Sequence, residues 1–328
     1  MPDDRLAPFP ALSPQQVIRL RVAETELEAE DTRSFVLVEE SGADLPEWSP
    51  GAHVDLRLPG DVIRQYSLCG DPAERGRWRI GVLREPRGRG GSAYLHDQVR
   101  AGAALEASVP RNNFPLRGAA RYVFVAGGIG ITPLLPMIRQ LEDDGSPWHL
   151  HYGGRHRSRM AFLGELARYG DKVTLYPEDE SGLLPLDSIA RSAGEDGLVY
   201  CCGPEVLLTA MEDTWRGRPS ERLRVERFHP REIAGDPAAD QPFDVRIHST
   251  GRSIRVGSDQ SILDVLGREG FDVPSSCREG TCATCETSVL EGTVDHRDSV
   301  LSEEEKESGK TMMICVSRSR SPRLTLDL

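Results

Sequence analysis

The sequence predicts a multi-domain protein: an antiparallel β-barrel, then an α/β parallel-sheet domain, then a small C-terminal sheet carrying one helix. Three observations predict it. A chain of 328 residues is longer than one hydrophobic core normally serves, so two or three domains are expected. Short alternating strands punctuated by Gly and Pro fill the segment before about residue 117, and strand-then-helix units replace them afterwards. Finally, Cys277, Cys282, Cys285 and Cys315 gather in the C-terminal part. The boundaries that follow are 1–116, 117–228 and 243–328, with a linker at 229–242.

In the first part, Val17–Val22, Thr32–Val38, His53–Leu58, Ile63–Leu68, Trp78–Val82 and Leu105–Val109 read as strands. Their even spacing and the turns at Ser49-Pro50-Gly51 and Pro59-Gly60-Asp61 point to a small antiparallel barrel. The strand Arg64-Gln65-Tyr66-Ser67-Leu68 sends Arg64 and Tyr66 to one face and Gln65 and Ser67 to the other. A guanidinium suits a phosphate, a phenol ring can lie on an aromatic cofactor, and the Ser67 hydroxyl can bond a ring nitrogen. Gly88-Arg89-Gly90-Gly91-Ser92 then opens a short helix whose bare N–H groups make an anion site. Alone, R-x-Y-S is more often an ordinary strand and G-G-S more often a turn; together they suggest a flavin phosphate site. His96 reads as structural.

From residue 117 the units are Tyr122–Ala126 with Pro133–Glu142, His149–Tyr152 with Ala161–Arg168, Val173–Tyr176, and Leu198–Cys202 with Glu205–Trp215. Strand followed by helix, repeated, predicts a parallel sheet whose ligands collect at the carboxyl ends of the strands. Gly127-Gly128-Ile129-Gly130-Ile131-Thr132-Pro133 lies at one such end. Pro133 replaces the third glycine of the dinucleotide fingerprint, with Thr132 suited to cap a helix and Pro133 to begin it, leaving the helix start facing a pyrophosphate. Cys202-Gly203-Pro204 repeats the design at another strand end, and Cys201 beside it reads as core. Arg155, Arg157 and Arg159 follow the second strand, where an adenosine ribose belongs. A guanidinium pair there would suit a 2′-phosphate, although charged loops are usually just solvated.

Pro230 to Pro242 has little bulky apolar content and reads as the linker. Strands are expected at Phe243–His248, Ser253–Val256, Glu286–Leu290, Met312–Val316 and Leu324–Leu328, with a helix at Ser261–Arg268 capped by Asp259 and ended by Gly270. Ser302-Glu303-Glu304-Glu305 forms a capping box for a short helix. The cysteines are spaced C-x4-C-x2-C with a distant fourth, the pattern of plant-type [2Fe–2S] ligation. Small residues between the ligands (Gly280, Thr281, Ala283, Thr284) let one loop wrap two irons. Disulfides fit poorly with seven cysteines and no visible export signal. Structural zinc is the stronger rival, but it favours matched C-x2-C pairs.

Cys277 to Cys285, Val289-Leu290-Glu291-Gly292, His296-Arg297-Asp298, Glu303 to Lys306 and Ser319 to Leu328 resemble the ferredoxin domain of the phthalate dioxygenase reductase and vanillate demethylase reductase family. The stretch from Arg64 to His96, including Leu68-Cys69-Gly70-Asp71-Pro72 and Gly81-Val82-Leu83-Arg84, resembles that family's flavin domain. The resemblance implies FMN, which the residues alone do not separate from FAD, with Arg64, Tyr66, Ser67, Gly90, Gly91 and Ser92 among its contacts. It implies a β-grasp ferredoxin domain with Cys277, Cys282, Cys285 and Cys315 on a [2Fe–2S] cluster. It places a dinucleotide on Gly127, Gly128, Gly130, Thr132, Pro133, Arg155, Gly203 and Pro204, with Cys202 orienting the nicotinamide, and leans to NADH over NADPH.

Flavin, nicotinamide and iron–sulfur modules together make an electron path. The resemblance implies a reductase component serving a separate oxygenase, of the Rieske type in preference to a cytochrome P450. A non-catalytic redox sensor or zinc-scaffolded binding module is the reading from another class; a colourless protein with stoichiometric zinc would support it. No oxygen-activating iron site is visible in the sequence. The net charge of -12 weighs against nucleic acid as a partner. The N-terminus shows no secretory h-region, and the longest uncharged run, Tyr122–Ile138, carries three glycines and two prolines. It reads as strand, turn and helix rather than a membrane span, so no membrane partner and a cytoplasmic location are expected.

Overall fold

Alternating apolar residues build the first sheet. Its strands are β1 (Val17–Ala29), β2 (Thr32–Glu39), β3 (His53–Leu58), β4 (Val62–Ser67), β5 (Trp78–Leu83) and β6 (Ala104–Ser108), all paired antiparallel in the order β4-β3-β6-β1-β2-β5. A bridge between Leu68 and Ile80 and a 2.8 Å bond from the Cys69 N–H to the Arg79 carbonyl join the two outer strands. That closure rolls the sheet into a barrel and covers its edges. Leu20, Val22, Phe35, Leu37, Val54, Leu56, Trp78 and Ile80 fill the interior. Asp55 is fully buried; Arg111 donates to both of its carboxylate oxygens at 2.7 Å, so its charge is paired. Helix α1 (Gly91–Gln98) follows β5. The computed structural model describes residues 17–60, 62–86, 88–231 and 240–328. It divides into two units, one ending at Glu226 and the other beginning at Arg227.

The same unit continues through β7 (Arg121–Gly127), α2 (Leu134–Asp143), β8 (Trp148–Gly154), α3 (Leu163–Leu166), β9 (Val173–Pro177), α4 (Glu178–Ser181), α5 (Leu186–Ser192), β10 (Gly197–Cys202), α6 (Glu205–Trp215) and β11 (Leu223–Glu226). The strands lie parallel in the order β11-β10-β7-β8-β9. Helix α2 buries Leu134, Leu135, Met137, Ile138 and Leu141 against Phe124, Leu150 and Tyr152 on one face. Ile189 of α5 and Leu208, Met211 and Trp215 of α6 cover Val123, Val125, Val199 and Cys201 on the other. Both faces are covered, as a parallel sheet requires. Two expectations are corrected here. The helix expected over 161–168 is broken, because Phe162 adopts φ 62 to lay its ring under β5, and only Leu163–Leu166 remains α-helical. Thr132 does not cap α2: its own φ/ψ is helical, and its hydroxyl donates backward to the Ile129 carbonyl at 2.9 Å.

The second unit holds β12 (Phe243–Ile247), β13 (Ser253–Val256), α7 (Ile262–Arg268), β14 (Glu286–Glu291), β15 (Val294–Asp295), α8 (Glu303–Ser308), β16 (Thr311–Met313), β17 (Arg318–Ser319) and β18 (Arg323–Leu326). Its main sheet runs β13-β12-β18-β14-β16, with β12 and β18 parallel and the rest antiparallel. Ile262, Leu263, Val265 and Leu266 of α7 pack on Phe243, Val245, Ile247, Leu324 and Leu326, a sheet grasping one helix. Ser261, not Asp259, caps α7 by accepting the Asp264 N–H at 3.0 Å; it stands immediately before the first turn, where a side-chain oxygen reaches that N–H. The expected capping box forms, with Ser302 Oγ accepting from the Glu305 N–H and the Glu305 carboxylate accepting from the Ser302 N–H. Cys315 lies in the turn after β16, not on a strand, which lets its sulfur swing toward the cysteine loop. The expected linker falls largely on residues 232–239, outside the described residues, but Asp240 is anchored in this unit by Arg297 at 2.8 Å and Arg318 at 3.3 Å. Among the described residues no helix is long and apolar enough to cross a membrane.

Candidate functional site

In the barrel, the two motifs singled out from sequence come together. Arg64 stands opposite Leu56 and Tyr66 opposite Val54 in the β3–β4 register. The Arg64 side chain runs across the start of α1, so closely that a Cβ on Gly91 would lie 2.7 Å from its Cγ. Its guanidinium donates to the Ile63 carbonyl at 2.7 Å and toward Arg89 at 3.4 Å. Gly90, at φ 89, leaves the space beside it open. A cation and the free N–H groups of a helix start therefore converge, and they fit a phosphate monoester. The Ser92 hydroxyl accepts the Glu85 N–H at 3.0 Å, which pins the loop and leaves its own O–H to donate. Burial pushes the Tyr66 phenol above its ordinary range, keeping it a neutral surface. Ser67 is 5% exposed at the end of β4. His96 donates Nε2–H to the Val82 carbonyl at 2.8 Å, an anchor between α1 and β5.

At the carboxyl end of the parallel sheet, a Cβ on Gly130 would lie 2.2 Å from the Cys202 carbonyl oxygen and 2.6 Å from the Gly203 nitrogen. Only glycine permits that approach. Gly127 and Gly203 also touch, backbone to backbone, so the loops after β7 and β10 form one surface. Gly128, at φ 54, faces open space, and Pro204 leads directly into α6. Pro133 sits just before α2, and Arg155 is exposed beyond β8. Cys202 is fully buried with its sulfur 3.9 Å from the Glu226 carboxylate. Burial first, then that carboxylate, pushes the thiol up. Cys202 is therefore a neutral packing group and not a thiolate nucleophile. Glu226, its register partner at the end of β11, is pushed up to about 8, chiefly by burial. Sequence reading missed Glu226, because nothing in an L-R-V-E strand end marks its neighbour as a cysteine.

A continuous line of contacts joins these two places. Ser67 precedes Leu68, which bridges Ile80. A Cβ on Gly81 would lie 2.8 Å from Thr132 Cγ2 and 2.9 Å from the Phe162 ring. Thr132 in turn stands two residues from Gly130, which rests on Cys202. Arg79 strengthens the seam, pairing with Glu28 of the barrel at 2.6 Å and with Glu165 of the α/β part at 2.8 Å while lying 4.8 Å over the Phe162 ring.

In the second unit the cysteine loop is bent by three left-handed residues, Arg278 (φ 57), Gly280 (φ 69) and Ala283 (φ 57). Two of these carry side chains, a conformation that costs about 1–2 kcal/mol each and persists only where surroundings hold it. The Ser299 N–H grips the Gly280 carbonyl at 2.9 Å, and the Glu279 N–H points at the Cys277 sulfur at 3.3 Å. The four thiols meet: Cys277 hydrogen-bonds with Cys282 and Cys315, and Cys315 with Cys285. Hydrogen bonds from Cys282 and Cys315 pull Cys277 and Cys285 respectively toward the thiolate form. Among the described residues no group of three or more His, Cys, Asp or Glu side chains is already arranged to hold a metal ion. The thiols are linked in the order Cys282, Cys277, Cys315, Cys285. Four soft donors in two adjoining pairs, with backbone N–H groups aimed at sulfur, suit a dinuclear iron–sulfur cluster.

A barrel with an anion cradle, a parallel sheet with a glycine-lined nucleotide edge and a four-thiol β-grasp unit define an iron–sulfur oxidoreductase of the ferredoxin-reductase type. Residues 245–320 match the family model described as 2Fe-2S iron-sulfur cluster binding domain. The chain is 46% identical to phenoxybenzoate dioxygenase subunit beta of Ectopseudomonas oleovorans, over 95% of this chain and 97% of that one. It is 39% identical, with a TM-score of 0.69 over 95% of this chain and 98% of the other, to a solved phthalate dioxygenase reductase, a modular structure for electron transfer from pyridine nucleotides to [2Fe–2S]. It also matches an intact type IV self-sufficient cytochrome P450 monooxygenase, at 43% identity and a TM-score of 0.88 over 95% of this chain, while spanning 41% of that longer chain. The chain belongs to the phthalate dioxygenase reductase and vanillate demethylase reductase family.

Proposed function

We propose that this protein takes electrons from NADH, passes them through FMN to a [2Fe–2S] cluster on Cys277, Cys282, Cys285 and Cys315, and delivers them to a separate oxygenase of the Rieske type. The observation that carries the reading is the gathering of the four thiols, Cys277 linked to Cys282 and Cys315 and Cys315 to Cys285, in a chain whose other unit supplies a phosphate cradle and a nucleotide edge. Arg64 and the N–H groups at Gly90, Gly91 and Ser92 neutralise the FMN phosphate, Tyr66 offers its ring face, and Ser67 donates to the ring system. The Gly127, Gly128 and Gly130 loop, with Thr132 and Pro133, presents backbone to the dinucleotide pyrophosphate. Cys202, Gly203 and Pro204 shape the floor beneath the nicotinamide, and Arg155 stands toward the adenosine end. Bound flavin supplies the exchange between a two-electron donor and a one-electron centre.

The test is anaerobic titration of the protein, purified with its cofactors, with NADH. Flavin bleaching followed by an EPR signal from a reduced cluster supports the reading. A colourless protein holding stoichiometric zinc overturns it. The likeness to 41% of the chain of a self-sufficient cytochrome P450 monooxygenase favours a second acceptor, a cytochrome P450. Mixing NADH-reduced protein with an oxygenase of each class, and following which is reduced, separates the two.

A further inference from the structure

The basic loop beyond β8 is less available to a phosphate than its composition suggests. Arg157 is held side-on by Glu180 of α4, with bonds of 3.1 Å to one carboxylate oxygen and 2.7 Å to the other. His156 Nδ1 lies 3.1 Å from the Asp179 carboxylate. Arg159 reaches the β1–β2 turn of the barrel, 3.4 Å from Glu30 and 3.0 Å from Asp31. Arg155 is exposed and, among the described residues, has no carboxylate on it. The two strand ends are stitched together by the Asp179 N–H, which donates to the Arg155 carbonyl at 3.4 Å.

We infer that Glu180 is a specificity-determining residue that makes this edge reject a 2′-phosphate by occupying the Arg157 guanidinium. This rests on the dinucleotide reading above. The ribose end of a dinucleotide lies beyond the second strand of such a sheet, where a carboxylate selects a 2′-hydroxyl and an arginine a 2′-phosphate. Here both residue types are present, and their mutual pairing decides the outcome. The side-on pair takes Arg157 Nε and one Nη, so a phosphate would meet only the remaining Nη edge, with the Glu180 carboxylate cancelling most of its charge. The 2′-phosphate would therefore meet one free cation, Arg155, and the negative charge of Asp179 and Glu180. Neutralising Glu180 releases Arg157, so that Arg155 and Arg157 become a guanidinium pair.

The test compares wild type with Glu180→Gln and with Glu180→Gln combined with Arg157→Ala, each loaded with its cofactors. NADH and NADPH are oxidised against ferricyanide, and the readout is the ratio of the two kcat/KM values. Glu180→Gln is expected to raise the NADPH-to-NADH ratio at least about tenfold, equivalent to roughly 1.4 kcal/mol of discrimination. Removing Arg157 as well is expected to erase the gain. An unchanged ratio in Glu180→Gln, or a gain that survives loss of Arg157, overturns the inference. Calorimetric titration with 2′,5′-ADP and with AMP asks the same question without turnover. Tighter 2′,5′-ADP binding in Glu180→Gln supports it, and equal binding in both proteins refutes it. A wild-type protein that oxidises neither dinucleotide fails the proposed function, whereas an unaltered preference in the variant fails only the role of Glu180.

Discussion

Replacing Arg79 with methionine keeps an aliphatic side chain of similar length but removes the guanidinium that lies over Phe162 and ties the barrel to the α/β part. The guanidinium serves two shielded carboxylates, Glu28 at 10% and Glu165 at 16% exposure. Removing one partner of a buried ion pair costs about 3–5 kcal/mol, because the survivor is left uncompensated. Two compensations reduce that figure. Arg139 remains on Glu165 at 2.6 Å, and the Ser34 hydroxyl remains on Glu28 at 2.6 Å. A net loss of about 2–3 kcal/mol follows. For a unit of this size each kcal/mol moves Tm by about 2–4 °C, so the first transition should fall by roughly 5–10 °C in differential scanning calorimetry. The transition of the cysteine-bearing unit should not move, which makes it an internal control. A double-mutant cycle with Glu165→Gln should return a coupling above about 0.5 kcal/mol. A Tm drop under about 2 °C, or a coupling near zero, would refute the claim that this seam is held electrostatically.

The other expectations are shorter. Gly130→Ala forces a Cβ to 2.2 Å from the Cys202 carbonyl, and since both sides are backbone the loop must shift; an overpacking cost of about 1–3 kcal/mol predicts a KM for NADH raised roughly tenfold, read with ferricyanide as acceptor. Cys315→Ser should lose the visible absorption of the cluster and keep the flavin bands, an effect larger than the about 10–100-fold loss of metal affinity seen for outer-shell changes. Glu226 gives a pH dependence. It holds its proton in the folded protein up to about 8 but loses it near 4.5 when unfolded. Its contribution is thus complete below about pH 4.5 and declines as pH rises to 8. Glu226→Gln should flatten the fall of Tm across that window and be the more stable protein at its alkaline end.

The strand periodicity of the barrel was legible because each strand carries one buried face, and the cysteine loop because four ligands need a particular spacing. The meeting of Arg64 with the glycine turn at Gly90–Gly91 was legible for a similar reason: they are far apart in sequence, but each is a residue type with a narrow chemical use. What escaped depends on contacts that spacing does not encode. Phe162 breaks a well-formed helical pattern because Gly81, on a strand of the barrel, leaves room for its ring. Thr132 has the composition of a cap but bonds backward, since the tight turn at Gly128–Ile131 brings the Ile129 carbonyl within reach of its hydroxyl. Cys315 sits in a turn because its sulfur must meet Cys277 and Cys285, and an extended strand would hold it in the sheet. For Arg157 and Arg159 the sequence left a phosphate role and a solvated loop side by side, and their carboxylate partners, one on α4 and others on the β1–β2 turn, could not be read from spacing.

Two of these misses, Thr132 and Phe162, share a location, and the location explains them. Gly81, Thr132, Phe162, Gly130 and Cys202 all lie where the barrel meets the parallel sheet, and there each side sets the conformation of the other. A residue at such a seam answers to two elements, so its local propensity is overruled more often than that of a residue inside one element. Ser67 stands at one end of the same line of contacts and Cys202 at the other. On the proposed placement of flavin by Ser67 and nicotinamide by Cys202, a small change anywhere along it, even at Phe162, which bears no functional group, should alter hydride delivery by displacing one ring system against the other rather than by removing a catalytic residue.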